Sequence, residues 1–368
     1  MNIGFDAKRA FHNFSGLGNY SRLLIQSLSD LYKDNQYSLF TPEYKPHSLH
    51  NFVNNDNCKI IKPNGINLLL PSSFWRTFSM VNDIHKQNID IFHGLSGELP
   101  FSNLKMPKVV TIHDLIFMRY PEFYTNFDRK MYEKKFRHAC KVADKIITVS
   151  KQTADDCIRF FEADAKKIEI GYQSCDPMFW RFIKDENITK KYDLPKKFIL
   201  NIGTMEARKN LLNLVKTLPF IDDEVSLVAI GGRTSYTTQV ETSIKENNLS
   251  RRVKLMHHVS FQDFPSIYAA ASAFVYPSVF EGFGIPVLEA LAVGTPVATS
   301  NLSSMPEVGG DAALYFNPYN VEDMAEKIKL LLTNNKVVAT LNENRTKQLE
   351  KFSIENIAKT VNEIYLKI

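Results

Sequence analysis

At 368 residues, with 44% hydrophobic content that includes 26 Phe and 15 Tyr, the chain exceeds the ~100–200 residues of one domain and can fill two packed cores. Its net charge of +5 suits an anionic ligand or a loose attraction to an anionic surface, and no nucleic-acid signature accompanies it. No apolar run approaches the ~20 residues that cross a bilayer, and MNIGFDAKRA sets Asp6, Lys8 and Arg9 directly after a short apolar segment, unlike a signal peptide.

Strand-like apolar runs alternate with helix-like segments along the chain. Strands are predicted at 2–7, 37–42, 58–63, 89–95, 109–115, 145–150 and 167–172, with helices at 16–31, 74–87, 129–144 and 151–164. After Gly171 the pattern turns irregular through YQSCDPMFWRFIKDENITKKYDLPKK. It restarts with strands at 198–204, 225–232, 253–260, 273–278, 296–300 and 313–316, and helices at 208–218, 237–248, 263–271 and 286–294. Several strands are apolar on successive residues, as expected where helices cover both sheet faces. Two such series imply an α/β fold of two Rossmann-like, doubly wound parallel-sheet domains. The expected bounds are 1–174 and 175–353, with a last helix at 354–368 packing back on the first domain. Ligands of these sheets sit at strand carboxyl ends, so a shared ligand would lie in a cleft between the domains.

The stretch EGFGIPVLEALAVGTPVAT concentrates chemistry. Pro286 suits the first position of a helix, whose dipole and unbonded amides at Val287 and Leu288 would favour a phosphate. Gly282 and Gly284 allow close backbone approach to a ligand, and Gly294 stops the helix. Glu281 and Glu289 could each accept two hydroxyls of a sugar or ribose. On spacing alone, the pair reads equally as a helix cap and a surface residue.

The run AFVYPS, VFEGFGIP, VLEALAVG and TPVATS resembles the Glu-x7-Glu segment of retaining glycosyltransferases of family 4. These are nucleotide-sugar-dependent enzymes of the two-domain GT-B fold, and mannosyltransferase-like members share the HDL and GTxEARKN segments. The likeness continues through SSMPEVGGDAALYFNP and covers most of the chain, least clearly at 44–85. The resemblance implies that Glu289 binds the nucleotide ribose. Glu281, with the backbone of Gly282, Phe283 and Gly284, would hold the transferred sugar, and the helix start from Ile285 through Val287 and Leu288 would meet the diphosphate.

Three further segments join this reading. In GTMEARKN, Arg208 and Lys209 are expected to open a helix, where two cations are awkward without an anion. The resemblance makes them the diphosphate grip, although Thr204 stands where many relatives place another arginine. In SGLGNY, Gly16 and Gly18 follow a nine-residue loop too long for a dinucleotide turn, and resemble the first-domain loop that approaches the donor. His113 ends the strand VVTIHDL and resembles the family's strand-end histidine beside the reacting sugar. His93, at another strand end, is a candidate for facing the acceptor. His257-His258-Val259-Ser260 lies where relatives hold the base, largely through backbone groups.

The implied activity is metal-independent transfer of a hexose, with retention, from a nucleotide-sugar donor to a glycan or lipid-linked saccharide acceptor, as in bacterial surface polysaccharide synthesis. GDP-mannose is preferred over UDP-hexoses, no Asp-x-Asp metal motif occurs, and no cofactor beyond the donor is implied. Alternatives are a nucleotide-sugar epimerase or an α-glucan phosphorylase or synthase on the same fold, or a non-catalytic sugar-nucleotide binder. The chain is short for a phosphorylase. Cys58, Cys140, Cys157 and Cys175 form no CxxC pair and no metal spacing, so a reducing, cytoplasmic location is expected. Segment 129–145, with seven Lys/Arg against two acidic residues, is either a solvated helix face or a contact with anionic lipid on the inner face of the membrane.

Overall fold

A computed structural model describes residues 1–368, the side chain of Ile66 excepted. The chain divides into two compact units, Met1–Ser174 with Phe352–Ile368, and Cys175–Lys351. Each unit is a parallel sheet flanked by helices.

Unit 1 holds β1 (Asn2–Asp6), β2 (Gln36–Phe40), β3 (Cys58–Ile61), β4 (Ile91–Gly94), β5 (Lys108–Ile112), β6 (Lys145–Thr148) and β7 (Ile168–Ile170) in the order β3-β2-β1-β4-β5-β6-β7. Unit 2 holds β8 (Phe198–Ile202), β9 (Ser226–Ile230), β10 (Val253–Met256), β11 (Ala273–Tyr276), β12 (Val297–Ser300) and β13 (Ala313–Phe316) in the order β10-β9-β8-β11-β12-β13. All pairings are parallel. Central strands such as β4, β8 and β11 are buried along their length, while the edge strands β7 and β10 are half-buried throughout. This explains the continuous apolar runs of the centre. In both units the winding reverses beside the first strand, between β1 and β4 and between β8 and β11. A crevice opens there at the carboxyl ends.

Three local expectations need correction. The segment between β1 and Gly16 is not an open loop, because Lys8–His12 is helical and the Lys8 amide donates to Asp6 Oδ1 at 3.3 Å. Residues 74–87 are not one α-helix, since a π-helical turn, Trp75–Ser79, joins Ser72–Phe74 to Met80–His85. Arg208 and Lys209 do not open the helix after β8. They lie in a separate 3-10 turn, Ala207–Lys209, and left-handed Asn210 (φ 59°) breaks the chain before the helix Leu211–Thr217. The Asn210 amide secures that break by donating to Pro277 O at 3.2 Å and Pro318 O at 2.7 Å. Two helices that the strand alternation did not mark, Val321–Thr333 and Asn335–Glu350, complete unit 2.

The last helix, Ile354–Leu366, packs in unit 1 through Ile357, Ala358, Val361, Ile364 and Tyr365. Its apolar stripe joins the core formed by Ile3, Phe5, Leu24, Leu28 and Leu39.

Candidate functional site

The crevice between β8 and β11 brings Glu206, Arg208, Lys209 and Glu281 together. Glu281 is almost wholly buried, and four side-chain donors converge on its Oε1: Lys209 Nζ at 2.5 Å, Ser278 Oγ at 2.6 Å, Arg208 Nη1 at 2.8 Å and the Tyr276 hydroxyl at 3.1 Å. None of these bonds uses Oε2. Burial alone would raise this carboxyl, but Lys209 and Arg208 outweigh it and hold the group at about 2. Burial lowers the Lys209 ammonium despite Glu281, whereas Glu281 and Glu206 overcome burial to raise Arg208.

The backbone is fixed as closely as the side chain. Ser303, itself left-handed at φ 53°, accepts from the Glu281 amide at 2.9 Å and donates to its carbonyl at 3.0 Å. Ser304 donates to the carbonyls of Glu281 and Phe283 at 3.0 and 2.7 Å. Arg208 Nη1 also donates to Phe280 O at 2.6 Å, and its own carbonyl accepts from the Val279 amide at 3.0 Å. The loops after β8 and β11 are thereby tied together.

Gly284 then starts the helix Ile285–Val293. It sits at φ 108°, and a Cβ there would lie 2.4 Å from Met305 Cε. The backbone angle calls for glycine, and any Cβ would also force the end of the Met305 side chain to shift. The structure corrects the expected anion site: the Val287 and Leu288 amides are not free, because both bond Gly284 O, at 2.9 and 3.4 Å. Pro286 is the second helical residue and brings no N–H. The amides of Gly284 and Ile285 are the ones left without an acceptor among the described residues.

Glu289 lies one turn on, buried, with Oε2 accepting the Tyr268 hydroxyl at 2.9 Å. Burial raises its carboxyl to about 7; the Tyr268 bond opposes this and Asp176 adds to it. The two glutamates thus have opposite settings, one firmly ionised and one poised near neutrality. Val259, half-buried, follows β10 on the same carboxyl edge of the sheet, two strands from β8.

Unit 1 presents a different picture. Gly16 and Gly18 begin the helix Gly16–Leu31, which Asn13 caps: its Oδ1 accepts from the Ser15 and Gly18 amides at 2.9 and 3.1 Å. A Cβ on Gly18 would collide with Asn13 O at 1.7 Å, so that glycine is a packing requirement, whereas Gly16 faces open space. His113 is buried beyond β5. Its Nε2 lies 2.9 Å from Leu95 O and so donates, while Nδ1 accepts from Gln173 Nε2 at 3.0 Å. Both nitrogens are occupied and burial lowers the ring to about 4, so His113 is neutral and offers no free base.

His93 does not face a ligand. It is fully buried, bonded to the Tyr365 hydroxyl at 2.6 Å and to Thr111 Oγ1 at 2.8 Å, and lowered by burial to about 3. Sequence reasoning missed Tyr268, Tyr276, Ser278 and Ser303, whose polar groups meet the glutamates only once the sheet forms. It also missed buried Arg76, which forks onto Asp6 at 2.6–3.2 Å from the crevice of unit 1.

Comparison with known proteins shows the family of the chain. Residues 14–177 match the family described as "Glycosyltransferase Family 4", and residues 184–348 match "Glycosyl transferases group 1". The O-antigen chain mannosyltransferase B of Escherichia coli is 31% identical over 273 residues, 72% of this chain and 71% of that protein. Sucrose-phosphate synthase from Thermosynechococcus elongatus superposes with a TM-score of 0.75 at 21% identity, over 100% of this chain and 98% of that one. HepE of Anabaena, solved with UDP and glucose, gives 0.75 at 17% identity over 100% of both chains. The chain belongs to the glycosyltransferases of the GT-B fold, related to family 4 and to the O-antigen mannosyltransferases.

Proposed function

We propose that the chain transfers a hexose, with retention and without a metal, from a nucleotide-sugar donor held by unit 2 to a saccharide or lipid-linked glycan held by unit 1. The observation that carries this reading is the Glu281 cluster at the crevice of unit 2: one oxygen saturated by four donors, the other left over. Oε2 would accept hydroxyls of the transferred sugar, and Glu289 those of the ribose. The amides of Gly284 and Ile285, with Arg208 and Lys209, would carry the charge that builds on the leaving diphosphate. Lys209 keeps one N–H beyond its bonds to Tyr276 and Glu281 for that purpose.

The chemistry then needs little beyond placement. The acceptor hydroxyl attacks the anomeric carbon on the face the diphosphate leaves. The C–O bond to phosphate breaks, and the departing phosphate oxygen takes the hydroxyl proton. His113, neutral and doubly bonded, would pack beside the sugar rather than move a proton. The other residues expected at the donor, Gly16, Gly18, Val259, Gly282 and Phe283, would contribute backbone contact. O-antigen mannosyltransferase B is named for mannose transfer, and on that basis GDP-mannose is the preferred donor over UDP-hexoses.

The helix Asn126–Val142 exposes Phe127, Lys130, Lys134, Arg137 and Lys141, spaced along one stripe. This supports peripheral attachment to an anionic membrane on its cytoplasmic side, where a lipid-linked acceptor would be found. Flotation with phosphatidylglycerol vesicles, lost in Lys134→Glu/Arg137→Glu, tests it.

A thermal-shift panel of GDP-, UDP- and ADP-sugars tests the donor, because a bound donor raises the melting point by mass action. Transfer measured in EDTA tests metal independence, and the anomeric configuration of the product tests retention. No shift with any nucleotide sugar would overturn the reading.

A further inference from the structure

The carboxyl ends of β1, β4 and β5 in unit 1 border a cavity of about 160 Å3. Phe117, Tyr124, Tyr132 and Phe136 form an aromatic wall, and Arg9 and Glu98 line it as well. Gly97, at φ 76°, is part of the construction. A Cβ there would sit 2.2 Å from Phe136, so only glycine lets that ring close the wall.

Charge around this cavity is out of balance. Arg76 forks onto Asp6, and Glu98 is held by Arg76 at 3.4 Å and Lys135 at 3.2 Å. Both carboxylates are therefore already matched, and the third on the wall, Asp114, accepts from the Ile116 amide at 3.1 Å. Arg9 has no side-chain hydrogen bond and no ion pair among the described residues, and the half-buried Lys8 ammonium beside it has none either. Lys8 is lowered by burial first and then by Arg76 and Arg9, whose repulsion outweighs Glu98 and Asp6. With Arg76 and Lys135 they make four cations around three carboxylates, and Arg9 and Lys8, neither in an ion pair among the described residues, are placed at a partly enclosed strand-end crevice to meet an anion.

We propose that this cavity takes an acceptor sugar bearing an anionic group, whose ring rests against Tyr124 and Tyr132 and whose charge is read by Arg9 with Lys8. The anion is a phosphate ester or a carboxylate, both matched by the planar guanidinium fork. Aromatic faces accept the apolar side of a pyranose, and the cations then select among sugars that share that shape. This assignment rests on the glycosyltransferase reading for the word acceptor; the anion site itself does not.

Calorimetric titration with mannose 1-phosphate, methyl glucuronide and methyl mannoside decides it. At least one anionic probe is expected to bind more than tenfold tighter than methyl mannoside, and which one does so tells phosphate from carboxylate. Arg9→Gln is expected to lose about ten- to hundredfold for the anionic probe, as befits a charge-assisted contact, with methyl mannoside unchanged and Arg9→Lys recovering part. The Arg9 side chain makes no hydrogen bond or ion pair among the described residues, so the melting point should not move. Lys209→Gln controls for phosphate binding in unit 2 and should leave the probe's affinity intact. Equal affinities for charged and neutral probes, or a loss only in Lys209→Gln, would overturn the proposal. Nucleotide-sugar binding by Arg9→Gln, measured alongside, keeps failure here distinct from failure of the donor reading.

Discussion

Lys209 Nζ stands 2.5 Å from Glu281 Oε1 and 2.6 Å from the Tyr276 hydroxyl, so the cation expected to meet the diphosphate is held beforehand by the carboxylate expected to meet the sugar. Glu281→Gln would leave Lys209 and Arg208 buried without that counter-charge. The expected cost is about 3 kcal/mol of unfolding free energy, read from urea denaturation. Transfer should fall by at least about a hundredfold. Acid dependence follows from the same group. Its folded carboxyl is held at about 2, below the ordinary range, so its stabilisation is present above about pH 4.5 and is lost as pH falls toward 2. The gap in urea stability between wild type and Glu281→Gln should be full at pH 6 and narrower at pH 3.

Glu289 should behave in the opposite sense. Its folded carboxyl, raised to about 7, binds a proton that the unfolded chain releases near the ordinary value. Stability is therefore full below about pH 4 and declines as pH rises through 7, by roughly 3 kcal/mol for a shift of this size. Glu289→Gln removes that loss, so at pH 8 the empty variant should melt higher than wild type. It should also bind donor more weakly, because an amide accepts ribose hydroxyls less well than a carboxylate. Donor affinity of the wild type should strengthen between pH 6 and pH 8, and the variant should be flat over that range. A variant that melts lower at pH 8 would contradict this account of the site.

Where signals are local, the sequence carries them. EGFGIP is readable because glycine, proline and glutamate each act through their own backbone or charge. Central strands such as 198–202 and 273–276 are readable because burial on both faces leaves a continuous apolar run. What fails depends on distant partners. Residues 208–218 read as one helix because nothing in RKNLLNLVKTL announces that the Asn210 amide will bond Pro277 and Pro318. His93 and His113 both end apolar strands, yet one is locked in the core by Tyr365 and the other lines the crevice cavity. Arg76 sits in a π-helical turn with no pattern of its own, and only the sheet brings Asp6 to it.

Gly284→Ala separates two demands made at one position. The left-handed φ of 108° costs a non-glycine residue on the order of 1–3 kcal/mol, and contact with Met305 adds to it. Adding Met305→Ala to Gly284→Ala should relieve the contact and leave the backbone term. Relative to Met305→Ala alone, the glycine change should then cost less than it does in wild type, by urea denaturation. Full additivity would show that Met305 is not the obstacle.

Tyr365→Phe tests how the last helix is secured. The hydroxyl bonds His93 Nδ1 at 2.6 Å, and His93 Nε2 continues to Thr111 Oγ1 at 2.8 Å, which in turn lies 3.2 Å from the Tyr20 hydroxyl. Removing one oxygen leaves a buried imidazole nitrogen with no partner, a loss of about 1–3 kcal/mol. The aromatic ring remains, so packing against the core is kept. Hydrogen exchange should accelerate most in the helix Ile354–Leu366 and in β4, with little change in unit 2. His93→Phe with Tyr365→Phe removes both polar ends and should recover part of the stability, because no unmatched group is left between those two positions. A double variant no more stable than the sum of the two single losses would show that the hydrogen bond does not couple these residues.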